Sequence, residues 1–168
     1  MKKSTTIIAA VALVVVMGLL LFVYLQGGAT GEAVTSDLTI ELGDAPASIH
    51  PGNRTVWTNQ SGQWTYVTEA NDGNTVWVFE GLASKSNCYD QLMAAAAIAG
   101  FTVETDSQPL GLLVTSIDGL DNNEPAVDDG KRAWQFYVDG VYGTRACNLT
   151  PVAQGSEVVW RYIANQFS

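Results

Sequence analysis

The sequence predicts an α+β fold, a sheet with one helix laid across it, behind an N-terminal apolar segment. Two stretches carry the sheet. In Trp134–Val138 apolar residues alternate with Gln135 and Tyr137, the period-two pattern of a half-buried strand. Glu157–Tyr162 (EVVWRY) follows Gly155-Ser156 as a second aromatic-rich strand. Neither can hide its apolar face alone. The helix signal is CYDQLMAAAAIAG, with Ser86 and Asn87 as N-cap candidates and Gly100 placed to stop it.

Taken in order, the chain starts with a short basic segment, residues 1–4, expected to stay in the cytoplasm. Residues 5–25 hold no charge. At about 1.5 Å per residue the run is long enough to cross a hydrocarbon core of about 30 Å. It reads as a transmembrane anchor, with a signal cleaved after the small-x-small pattern Gly31-Glu32-Ala33 as the alternative. Lys2 and Lys3 precede it and no basic residue follows until Arg54. That bias leaves the N-terminus inside and the bulk of the protein outside, in a single pass.

Residues 26–54 read as stalk or linker: small and polar at first, then an alternating run Asp37–Leu42 that could be a strand, then a loop with Pro46 and Pro51. Residues 55–168 are expected to form the extracytoplasmic domain. Thr55–Thr58, Trp64–Thr68 and Thr75–Phe79 are short strand-like runs, and Asn71–Asn74 predicts a hairpin between the second and third. Phe101–Thr105 and Leu112–Ile117 extend the list, the latter ended by Asp118-Gly119. Alanines at 95, 96 and 99 make a thin helix face suited to a sheet. Trp134 and Trp160 are expected to fill the space against it.

Composition narrows the function. The chain carries 17 acidic and 8 basic residues, a net charge of −9. Setting aside Lys2 and Lys3 leaves six basic against seventeen acidic groups, a net charge of −11. Such a surface repels nucleic acid, and no basic stripe with interleaved aromatics offsets it.

The order of signals resembles the transcobalamin-like C-terminal domain family. The pieces are Gly111, Val114, Ser116, Ile117, Asp118, Gly119 and Leu120; then Trp134 to Gly140; then Gly155 to Tyr162. The resemblance spans roughly residues 65–163. It implies a β-grasp-like mixed sheet of four to five strands packed on one helix, in a family of unassigned function in microbial members. Eukaryotic relatives bind cobalamin with an additional helical domain, for which this sequence holds no counterpart. The chain departs from the usual pattern at Asp139, where Asn is commoner, and at Ser156, where Asp is commoner. Both changes keep turn chemistry.

Cys88 and Cys147, the only cysteines, are expected to form a disulfide in an extracytoplasmic domain, with buried free thiols as the alternative. Asn53, Asn59 and Asn148 each open an N-glycosylation sequon. Trp57 and Trp64 flank the Asn59–Gly62 loop and read as core or as an exposed ligand platform. Asp118–Asp129 is rich in carboxylates, but its spacing fails the calcium-loop pattern and it reads as a solvated loop. His50 is the only histidine, and it has no nucleophile elbow to serve. Glu69, Glu80 and Glu104 could meet on a sheet. No catalytic residue, metal site or cofactor is implied. The expectation is a membrane-anchored binding or interaction module without catalytic activity. The alternatives are a surface receptor for a small ligand, a corrinoid among the candidates, and a structural surface or filament subunit. The partners are thus the membrane and either a small ligand or a surface protein.

Overall fold

The computed structural model describes residues 32–46 and 48–165. The anchor segment 5–25, the basic start and residues 26–31 of the stalk lie outside the described residues. Among those described, no helix is long and apolar enough to cross a membrane.

The α+β class is observed: the described residues are mostly sheet with one α-helix. Eleven-residue β1 (Ala33–Gly43) opens the domain, followed by β2 (Asn53–Gln60), β3 (Gln63–Ala70) and β4 (Thr75–Lys85). Helix α1 (Cys88–Ala99) comes next, then β5 (Val103–Gln108), β6 (Gly111–Ile117) and β7 (Leu120–Asp121). The chain ends with β8 (Arg132–Val138), β9 (Val141–Tyr142) and β10 (Glu157–Ala164). The main sheet has seven strands in the order β3-β2-β4-β1-β10-β8-β9, and β5, β6 and β7 form a separate three-stranded sheet. The expected four to five strands are therefore too few.

Two corrections explain the larger sheet. Much of the stretch read as stalk is a central strand: β1 pairs antiparallel with β4 and parallel with β10. Its alternation buries Ser36, Leu38, Ile40 and Leu42 on one face, so the period-two signal in Asp37–Leu42 was a core strand. The domain thus reaches back at least to Ala33. The Asn71–Asn74 turn, in turn, does not make a simple hairpin. Strand β2 lies between β3 and β4, antiparallel to the first and parallel to the second. The tight hairpin is β2–β3, turning at Ser61-Gly62 with both residues at positive φ. The Asn71–Asn74 turn steps over the start of β2 instead, and Asn71 N–H donates to the Gly52 carbonyl at 3.0 Å. A Cβ on Gly52 would stand 2.8 Å from the Gly73 backbone, so only glycine admits the crossing.

The helix forms as its caps dictate. The Asn87 side chain accepts from Asp90 N–H at 2.9 Å. Gly100 sits left-handed at φ 80° and donates to Ala96 O at 2.8 Å. Leu92, Ala95 and Ala96 are buried. The helix lies over β4 and β1 and against the Cys147–Leu149 turn. Fully buried Gln91 ties it to β1 by donating to Ser36 Oγ at 2.6 Å.

Trp134 and Trp160 are both buried, as expected, but Trp134 is held by a different neighbour. Its Nε1 donates to Leu120 O of β7 at 2.7 Å, and its ring lies 5.2 Å from Tyr162. The three-stranded sheet, not the helix, covers this end. Removing Trp134 empties a large volume and takes away the hydrogen bond to Leu120 O. Trp134→Ala should cost about 3–5 kcal/mol and Ala95→Leu about 1–3 kcal/mol by overpacking, read from denaturant midpoints. A wild-type midpoint for Trp134→Ala would remove the ring from the core.

Candidate functional site: an apolar cleft between the two sheets

Strands β8 and β10 run antiparallel with Trp160 opposite Phe136 and Tyr162 opposite Trp134. Period two therefore puts all four rings on one face. Trp160 and Phe136 lie 5.1 Å apart, tilted by 37°. Over this floor stand β6 on one side and residues 142–149 on the other. They enclose a cleft of about 840 Å³, lined by Leu112, Val114, Trp134, Phe136, Leu149 and Trp160 among others. That volume lies in the range of small-molecule sites.

Asparagines hold the walls. Asn148 Oδ1 accepts from Leu112 N–H at 2.8 Å, joining the Cys147–Leu149 turn to β6. Asn122 spans the two sheets, donating to Val114 O at 2.9 Å and accepting from Trp134 N–H at 2.8 Å. Two glycines allow close approach. A Cβ on Gly143 would lie 2.2 Å from the Phe136 ring, and one on Gly111 would lie 2.4 Å from Ala146 Cβ. Trp160 Nε1 is buried without a hydrogen-bond partner. The rings are legible in the sequence, where Asn148 reads only as a sequon; no local pattern marks Asn122, Asn148 or Gly143 as residues where two distant elements meet.

The cysteine expectation is corrected. Cys88 and Cys147 are free thiols, both buried. The structure does bring them together, since a charge on Cys147 would disfavour one on Cys88. Burial pushes Cys88 up to about 12 and Cys147 up to about 11, so both stay protonated at neutral pH. Cys147 Sγ donates to Leu112 O at 3.5 Å, a further tie between the turn and β6. The expected bond is absent: the helix start and the turn meet here as buried free thiols.

The remaining candidates disperse. Trp57 and Trp64 share a second hollow of about 390 Å³ with Tyr66 and Ile98. Trp57 is also core, stacked on Phe79 at 4.6 Å and 7°. Asn59 is exposed and its side chain caps the hairpin at Gly62. Asn53 begins β2, half-buried, and Asn148 is engaged as described. Glu69 pairs with Arg54 at 3.6 Å, Glu80 is on β4 and Glu104 is on the other sheet, so the three do not share a sheet. The acidic loop is ordered by its neighbours: Tyr162 OH donates to Asp121 O at 2.7 Å, and Asp128 lies 3.6 Å from Arg132. Among the described residues no group of three or more His, Cys, Asp or Glu could hold a metal ion.

The pattern of a family described as a domain of unknown function, DUF4430, matches residues 89–164. No curated protein is matched by the sequence. Among solved structures, the chain is similar to a protein from Ruminococcus gnavus described as a supposed metal binding protein, at 15% identity and a TM-score of 0.38. That match covers 67% of this chain and 97% of the other. It is also similar to haptocorrin in complex with Cbi, at 12% identity and a TM-score of 0.47. There 81% of this chain is covered but only 26% of the haptocorrin chain.

His50 is 2% exposed, edge-on to Trp77 at 6.0 Å, with Nε2 unpartnered. Burial holds its pKa below the ordinary 6.5, opposed by the nearby Asp118 carboxylate. A depressed folded pKa gives stability that is present above 6.5 and lost as pH falls from there through the folded value. Stability should therefore drop on acidification below 6.5 by up to about 1.4 kcal/mol per pH unit. His50→Leu should flatten that part of the profile, and an unchanged slope in the variant would show that His50 does not cause it.

Proposed function

We propose that the protein is a membrane-anchored, extracytoplasmic binding module without catalytic activity, and that it takes a small, largely apolar ligand in the cleft between its two sheets. The observation that carries this reading is the cleft itself. It is floored by Trp134, Phe136 and Trp160 and walled by a turn tied to β6 through Asn148 and Cys147. Large rings fixed by packing give contact area at small entropic cost, the arrangement used by preformed ligand sites. The family-like motif pieces contribute to it directly, since Trp134–Gly140 and Gly155–Tyr162 supply the floor. The uncharged run 5–25, preceded by Lys2 and Lys3, supports the anchored and outward-facing placement. On the same reading, Asn59 is the most accessible of the three sequons.

Calorimetry on the full chain in nanodiscs of neutral lipid tests the cleft with 2-naphthamide, a flat and uncharged probe. Binding is expected at micromolar to millimolar concentration. Thr144→Trp, at an exposed position lining the cleft, should weaken it about tenfold or more without lowering the melting temperature. Absence of heat from the unmutated chain, or undiminished binding in the variant, would sink the cleft as a ligand site. The anchor is checked separately. The intact mass of membrane-extracted protein should retain Lys2 and Lys3, and a mature chain starting near Val34 would refute it.

A further inference from the structure

We infer that the ligand of this cleft is an amphipathic anion: an apolar body against the ring floor and one carboxylate-like group at the mouth, held by Arg145. This deepens the cleft reading above and rests on it. Among the described residues, Arg145 is the only charged one lining the cleft, in a chain with 17 acidic and 8 basic residues. The other arginines are committed elsewhere. Arg54 pairs with Glu69 at 3.6 Å, Arg132 with Asp44 at 2.6 Å, and Arg161 with Glu41 at 2.8 Å. Among the described residues, Arg145 alone of the four has no carboxylate within ion-pair distance, and it is exposed at the turn that walls the cleft.

The chemistry selects the ligand's charge. An unpaired guanidinium presents a planar fork of donors that matches a carboxylate in two parallel hydrogen bonds. Among the described residues no acidic side chain lines the cleft to compete for it, and Cys147, pushed up to about 11, remains a neutral thiol there at neutral pH. The chain as a whole carries a net charge of −9, so Arg145 is a positive group at the mouth of a cleft in a net-negative protein. Beside Arg145, exposed Leu149 extends the apolar lining toward solvent. A molecule with a carboxylate joined to a flat or branched apolar body meets both features at once.

The test uses two probes of nearly equal shape, 2-naphthoate and 2-naphthamide, by calorimetry on the full chain in nanodiscs of neutral lipid. The anion is expected to bind about tenfold tighter than the amide, with a preference that shrinks as salt is raised. Arg145→Gln should abolish the preference without lowering the melting temperature, since the residue is exposed and its side chain has no ion pair among the described residues. Equal affinities for the two probes in the unmutated chain would overturn the inference while leaving the cleft reading intact. So would a preference that survives in Arg145→Gln. Failure of both probes to bind would remove the cleft reading and this inference with it.

Discussion

The width of the main sheet is the constraint on which the rest of the structure depends. Seven strands span six interstrand gaps, about 29 Å at about 4.8 Å each. Helix α1 has twelve residues, about 18 Å in length and about 10–12 Å across with its side chains. It can cover β4 and β1 but not the whole apolar face. The β10–β8 end, with its four aromatic rings, needs a second cover, and the small sheet provides it through Val114, Ile117 and Leu120, all buried. Neither cover reaches everywhere. One remaining gap is the cleft between β6 and residues 142–149, and the other is the hollow of Trp57, Trp64 and Tyr66 beside the end of the helix. Both hollows lie on the aromatic rows of one sheet.

Some of this architecture could be read in the sequence because it is encoded locally. Asn87 and Gly100 act as caps where the sequence places them, and the Trp134–Val138 and Glu157–Tyr162 strands stand where alternation puts them. What was hidden depends on pairs far apart in the chain. The β1 alternation was visible, but its place in the centre follows from a parallel pairing with β10, with Ile40 beside Trp160. That partner lies 120 residues away, and nothing near Ile40 announces it. The Asn71–Asn74 turn has hairpin chemistry, yet Gly52 lets β2 slip between the strands it joins. Turn residues fix a reversal of direction; they do not fix which strand becomes the neighbour. The rings of the site were legible as strand residues, whereas the cleft they floor was not, because it is defined by the opposing wall.

The two departures from the family-like pattern turn out to be partners. Ser156 Oγ donates to Asp139 Oδ2 at 3.0 Å, while Asp139 Oδ1 accepts from Glu157 N–H at 2.9 Å. With Asn at the first position and Asp at the second, an amide would donate to a carboxylate. Here a hydroxyl donates to a carboxylate with the roles reversed. The Asp139 carboxylate thus accepts from both a hydroxyl and a backbone N–H, joining the end of β8 to the start of β10. The same economy of short polar side chains recurs at Asn122 and Asn148. Each joins elements that apolar packing alone would leave free to slide.

Those polar ties bear on why the cleft stays open. An apolar hollow normally shrinks as its walls relax inward, which limits the cost of leaving it unfilled. Here the relaxation is blocked on two sides. Gly143 already lies so close to Phe136 that not even a methyl group fits between them. The Cys147–Leu149 turn is fastened to β6 by the Asn148 and Cys147 hydrogen bonds. Those bonds fix the turn against β6, and the Gly143 contact keeps it from moving further onto the ring. The domain thereby forgoes some packing in its empty state. An occupant that fills the volume restores those contacts and stabilises the folded chain by mass action, by about 2.7 kcal/mol at a hundredfold excess over its dissociation constant.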